Sequence, residues 1–170
     1  MRLRPYGEDD RWLTAALEGD PDVMRYLGGP APLGRVQQVH ERRVGAAGGE
    51  WYRTILAGPD DAPAGVVAVF GTAWQGEQIP ELGIMLLPGL RRRHGLAVGA
   101  IRLIVAEVRA SGLVPRIHAF IGAANAAAAA VARRVGFVSA GPVDVDYEGV
   151  PIRCEHWLLD LGASPAELAG

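Results

Sequence analysis

The residues best suited to chemistry lie around one turn. Arg91-Arg92-Arg93-His94-Gly95 follows an apolar, strand-like run that starts at Glu81. It precedes a stretch in which Ala97, Ile101, Ile104, Val105 and Val108 recur at helical spacing. A loop that opens into a helix leaves the first backbone N–H groups without intrahelical acceptors, and the helix dipole adds partial positive charge there. Such a turn can hold an anion. Gly95 lets a bulky phosphate approach the main chain, and arginines stand beside it. The same residues also fit an ordinary strand–turn–helix connection with solvated arginines. Glu81, at the start of the strand-like run, and His118 carry groups able to take up a proton. Partial burial raises a carboxyl pKa towards the working range, and imidazole titrates near neutrality unaided. Each also suits a plain strand position. Tyr147, Ser139 and Cys154 carry protons that could serve a general acid, although strand packing or exposure accounts for each of them better.

Several elements must position these groups. Residues 1–6 read as a strand, and Gly7 to Asp10 as the acidic opening of a helix carrying Trp12, Leu13, Ala16 and Leu17. Pro21 begins a second short helix with Val23, Met24 and Leu27, closed by Gly28-Gly29. A third helix is expected over about residues 35–44. Residues 51–57 and 64–70 read as two strands joined by the turn-rich segment 58–63. Residues 72–79 read as a polar loop before the fourth strand, 81–87. The central helix follows, then a fifth strand over 116–121. Asn125 is a plausible N-cap for the alanine-rich helix, which places Arg133 and Arg134 at its negative end and stops at Gly136. Two strands, about 137–147 and 152–161, complete the chain around a Glu148-Gly149 turn, and the tail from Gly162 is expected to fray. Strand pairs at both ends of a strand–helix–strand–helix unit argue for an α/β mixed sheet.

Composition narrows the functional classes. The 170 residues suit one domain, with 49% apolar and 21% charged residues. No apolar run reaches the ~20 residues of a membrane span, and no signal peptide is visible. A single cysteine precludes an internal disulfide and suits a reducing cytoplasm. A net charge of −2 gives no field to gather nucleic acid. All basic residues are arginine, which excludes Schiff-base and Walker-type lysines. No His/Cys cluster has metal-ligand spacing, so no metal is expected, and no Gly-x-Ser-x-Gly elbow suggests a hydrolase.

Arg92-Arg93-His94-Gly95-Leu96-Ala97 resembles the Arg/Gln-x-x-Gly-x-Gly/Ala signature of the GNAT superfamily of N-acetyltransferases. Asn125, Ala128, Val131, Arg134, Gly136 and Phe137 resemble that family's Asn-x-x-Ser/Ala-x-x-Val-x-x-Lys-x-Gly-Phe segment. Leu3-Arg4-Pro5 and residues 20–29 are similar to its ribosomal-protein N-terminal acetyltransferase branch (RimJ/RimL type). The resemblance implies a seven-stranded mixed sheet with flanking helices, in which strands four and five splay to admit acetyl-CoA. It implies a diphosphate held by Arg92, Arg93, His94, Gly95, Leu96, Ala97 and Val98. The pantetheine would run along Ile84, Met85 and Leu86, with one of their N–H groups polarising the thioester. Asn125, Ala128 and Arg134 would add contacts to the cofactor. Met24, Tyr26, Leu27 and Val39 would face an acceptor amine, either a protein N-terminus or a small molecule. Glu81, His118 and Tyr147 become the catalytic candidates, and a homodimer is compatible. Two departures stand out: Arg93 replaces a common glycine, and Ala132 replaces a tyrosine that often acts as the acid.

Overall fold

The computed structural model describes residues 1–90, 95–147 and 149–162. The expected phosphate contacts Arg92, Arg93 and His94, the turn residue Glu148 and the tail beyond Gly162 lie outside the described residues. Seven strands form one sheet: β1 (Arg2–Pro5), β2 (Trp51–Ala57), β3 (Ala62–Trp74), β4 (Glu77–Leu86), β5 (Arg116–Gly122), β6 (Val138–Tyr147) and β7 (Val150–Asp160). Their order is β1-β2-β3-β4-β5-β7-β6. Every neighbouring pair is antiparallel except β4 and β5, which run parallel. That parallel pair requires a crossover, which the helix α3 (Leu96–Ser111) supplies. The expected α/β mixed sheet is therefore present.

Two expectations need correction. The 72–79 segment is not a loop: β3 continues to Trp74, and β4 begins at Glu77. Gln75 and Gly76, at φ 50° and 86°, make the tight two-residue turn between them. Both central residues at positive φ match the right-handed twist of a hairpin, so the polar stretch pairs instead of looping. The second short helix is only a 3₁₀ turn over Met24–Tyr26, too short for an α-helical ladder.

Side-chain alternation divides the sheet into two buried faces. On one, Ile101, Ile104, Val105 and Val108 of α3 join Val67, Val69, Leu82, Ile117, Trp157 and Ala132 of α4 (Ala126–Val135). On the other, Leu13 and Leu17 of α1 (Arg11–Glu18) meet Tyr52, Val66 and Ala68. α2 (Leu33–Val44) is tied to α1 by a buried polar network. Arg43 donates to Thr14 Oγ1 at 2.8 Å and to Glu18 Oε1 at 2.6 Å. The Tyr6 hydroxyl bonds Thr14 at 2.6 Å and His40 Nδ1 at 2.7 Å. Asp10 accepts two bonds from Arg4 and one from Thr54. Among the described residues, Glu18 Oε2 is the buried oxygen of this network without a hydrogen-bond partner. The paired groups hold one arrangement, because breaking any of these bonds would carry a large desolvation cost. No helix among the described residues is long and apolar enough to cross a membrane.

Candidate active site

β4 and β5 share one register pair, Glu81 with His118, whereas β3 and β4 pair over ten positions. The Leu87 N–H donates to the Ala64 carbonyl of β3 at 2.9 Å. Amide groups alternate sides along a strand, so odd-numbered residues of β4 turn to β3 while Ile84 and Leu86 turn to β5. Beyond Glu81 no register pair joins those amides to β5 among the described residues. Met85, by the same alternation, directs its N–H to β3. The alternation thus separates it from the other two expected pantetheine residues.

The chain passes from the end of β4 to the N-terminus of α3. Gly95 caps that helix in the left-handed region, at φ 90°, where a side chain would be strained. Among the described residues, a Cβ added there would meet nothing within 4 Å. Leu96 and Val98 are buried and Ala97 is half-buried. The first intrahelical bond runs from Gly99 N–H to Gly95 O at 2.8 Å. The N–H groups of Leu96, Ala97 and Val98 precede it and have no carbonyl within the helix. Asn125 caps α4 as expected, its Oδ1 accepting from Ala128 N–H at 3.2 Å. The cap uses the Ala128 N–H and one lone pair of Oδ1, which leaves the Nδ2 donors of Asn125 to bond elsewhere. Arg134 is exposed at the other end of α4, where its carbonyl accepts from Arg102. Nine residues at ~1.5 Å rise set it about 14 Å from Asn125.

Glu81 is half-buried, and its Oε2 accepts from Thr72 Oγ1 at 2.6 Å. Burial raises its carboxyl pKa, and the Thr72 bond partly offsets the rise. His118 Nδ1 and His156 Nε2 lie 2.9 Å apart, so one nitrogen donates and the other must be unprotonated. Burial lowers both imidazole pKa values, and the His156 and Arg116 charges lower that of His118 further. Tyr147 lies elsewhere. It pairs with Val150, eight residues along β7 from Leu158, the partner of His118. At ~3.3 Å per residue this is roughly 26 Å of strand, so Tyr147 is not brought together with Glu81 and His118. Its ring instead lies 5.7 Å from the Arg35 guanidinium, and burial, then the Glu18 charge, raise its hydroxyl pKa.

Of the expected acceptor residues, Tyr26 reaches the sheet. A Cβ on Gly122 would come within 3.3 Å of Tyr26 Cβ, so glycine at the end of β5 permits this approach. Leu27 is half-buried, whereas Met24 and Val39 are buried in packing, 1% and 4% exposed. Cys154 is buried on the strand beside Gly122, with its thiol pKa raised by burial and then by Glu81. Ser139 donates instead to Glu155. Two open surface clefts, one beside His40 and one beside Ser139, include none of Glu81, His118, Gly95 or Asn125. Among the described residues no three His, Cys, Asp or Glu side chains group to hold a metal. Thr72, Trp74, Phe120 and His156 are further polar and aromatic residues on this face. The Gln75-Gly76 dipeptide was the available sequence signal for the first two, since it is the composition of a tight hairpin.

A mixed sheet with one parallel pair, helices on both faces and a glycine-capped helix N-terminus after that pair's first strand makes this an α/β protein. The family model described as an acetyltransferase (GNAT) domain matches residues 1–138, and the chain belongs to that family. The fold is similar to that of a GNAT-family acetyltransferase from Bacillus anthracis, at 16% identity over 94% of this chain and 93% of that one, with a TM-score of 0.75. It is also similar to a spermidine N-acetyltransferase from Vibrio cholerae in complex with CoA and spermine, at 15% identity, 94% and 95% coverage and a TM-score of 0.77. An aminoglycoside acetyltransferase in complex with coenzyme A gives 16% identity, 93% coverage of both chains and a TM-score of 0.74. No curated protein sequence matches the chain.

Proposed function

We propose that the chain is an N-acetyltransferase that moves the acetyl group of acetyl-CoA to a primary amine by direct attack within a ternary complex. The observation that carries this reading is the parallel pairing of β4 and β5, reduced to Glu81 and His118, in a sheet whose crossover helix α3 is capped by Gly95. The donor supplies acetyl as an activated thioester. Leu96, Ala97 and Val98 present backbone N–H groups to its diphosphate, and the helix dipole favours the negative charge. Asn125 Nδ2 is available to the pantetheine arm. Ile84 N–H faces β5 and would hold the charge that develops on the carbonyl oxygen. Glu81 takes a proton from the incoming ammonium, and its raised pKa suits a base working near neutrality. As the C–N bond forms and the C–S bond breaks, the second proton lost from nitrogen goes to the departing thiolate, directly or through water. Holding both reactants in one place removes much of the entropy of encounter. Calorimetric titration with CoA, followed by thiol release across a panel of amines, tests the reading. Absence of CoA binding at millimolar concentration would exclude it.

A second reading, a CoA-binding module without transfer, is favoured by one observation. Ala132, where a tyrosine acid often stands in the family, is buried in the core, and Tyr147 is remote from Glu81. CoA binding without thiol release on any amine or peptide of the panel would select it.

A further inference from the structure

Four rings from three strands meet on the Glu81 side of the sheet. His118 and Phe120 alternate with the core-facing Ile117 and Ala119, so they share the face opposite α3. His156 pairs directly with Phe120 across β5 and β7, and their rings stack at 4.8 Å and 14°. The His118 ring stacks on His156 at 5.1 Å and 21°. Trp74, at the tip of the β3–β4 hairpin, leans over both strands, its ring 4.8 Å from Phe120 and 6.0 Å from His156. All four are half-buried, hence partly open to solvent. The ends of this wall are fixed by polar groups: the His118–His156 hydrogen bond at one side and the Thr72–Glu81 bond beside it.

Of the carboxylates near the wall, Glu81 is half-buried and has a hydroxyl, not a guanidinium, as partner, whereas Glu77, paired with Trp74 across the hairpin, is exposed. Asp144, on β6, is engaged by Arg153 at 2.8 Å. A polyamine needs several carboxylates to replace the water around its ammonium groups. One half-buried carboxylate beside flat rings suits a single ammonium attached to an aromatic group, which gains from stacking and edge contacts.

We propose that Trp74, Phe120 and His156 form the acceptor subsite, and that the acceptor is a primary monoamine bearing an aromatic ring, its nitrogen directed to Glu81. This rests on the acetyltransferase reading and narrows its substrate class. The test is calorimetric titration of the CoA-saturated protein with 2-phenylethylamine, hexylamine and spermidine, repeated with Trp74→Leu and Phe120→Leu. The aromatic amine is expected to bind roughly tenfold more tightly than hexylamine, the upper range for a ring contact, and spermidine no better than hexylamine. Each substitution should bring that preference to within about twofold, at unchanged CoA affinity. Equal binding of the three amines by the wild-type protein, tighter binding of spermidine, or a preference that survives both substitutions overturns the inference. If CoA binds and the preference is absent, only the acceptor assignment fails. If CoA itself does not bind, the acetyltransferase reading fails and this inference with it.

Discussion

Replacing Gly95 by glutamate puts a charge where the donor diphosphate is expected, and its energetics can be worked in advance. Gly95 has φ 90° and ψ −14°, and an L residue in the left-handed region costs about 1–2 kcal/mol. An added Cβ meets nothing within 4 Å among the described residues, so they add no packing cost. A carboxylate at a helix N-terminus returns about 0.3–1 kcal/mol through the dipole. The expected loss of stability is therefore small, between roughly zero and 2 kcal/mol. Binding should respond far more. A carboxylate about 5 Å from one phosphate charge, at an effective dielectric of about 20, repels it by about 3 kcal/mol. That is about a hundredfold in affinity. Gly95→Ala shares the strain without the charge. In calorimetric titration with CoA, Gly95→Ala should stay within a few-fold of wild type while Gly95→Glu falls by about two orders of magnitude. Denaturant unfolding of both variants supplies the stability control. Equal CoA affinities in the two variants would refute the placement of the diphosphate at this turn.

Glu81→Gln should lower kcat/KM by about 10²–10⁴-fold, the usual worth of a positioned base, at unchanged CoA affinity. Unaltered turnover removes Glu81 from the mechanism. In the wild type, activity should rise with pH through a carboxyl pKa lifted by burial. Thr72→Val should move that limb higher, since it deletes the bond that lowers the pKa. Linkage gives the sign for stability. With a raised folded-state pKa, the contribution of Glu81 is full below the ordinary carboxyl range and is lost as pH rises through the folded value. Unfolding at neutral pH should therefore find Glu81→Gln the more stable, and a loss there would contradict the burial argument. Asn125→Asp keeps the helix cap, because aspartate caps as well as asparagine, yet removes the Nδ2 donor. It should unfold like wild type and bind CoA more weakly, whereas Asn125→Ala should also lose about 1 kcal/mol of stability. Arg43→Met leaves Glu18 buried and unpaired, which should cost about 3–5 kcal/mol in denaturant unfolding. Adding Glu18→Leu should restore most of that loss.

Much of the frame is legible in the order of residues because its causes are local. The opening of α3 at Gly95, the Asn125 cap and the stop at Gly136 each depend on side chains and φ angles within a few positions. Those signals fixed where the amides of a phosphate site would stand. The strand–helix–strand alternation likewise implied the one parallel crossover. The missed hairpin at Gln75-Gly76 shows the limit of reading polarity alone, since Thr72 and Trp74 are held in a strand by pairing with β4.

The active-site partners depend instead on which strands are neighbours. Alternation puts His118 and Phe120 on one face of β5, but only the sheet order, with β7 inserted between β5 and β6, brings His156 beside them from 38 residues away. The same order carries Tyr147 to the far end of β7 and away from Glu81. Glu81 acquires its character in this way too: a carboxylate has an ordinary pKa as part of a sequence, and the fold raises it by removing water and leaving one hydroxyl in exchange.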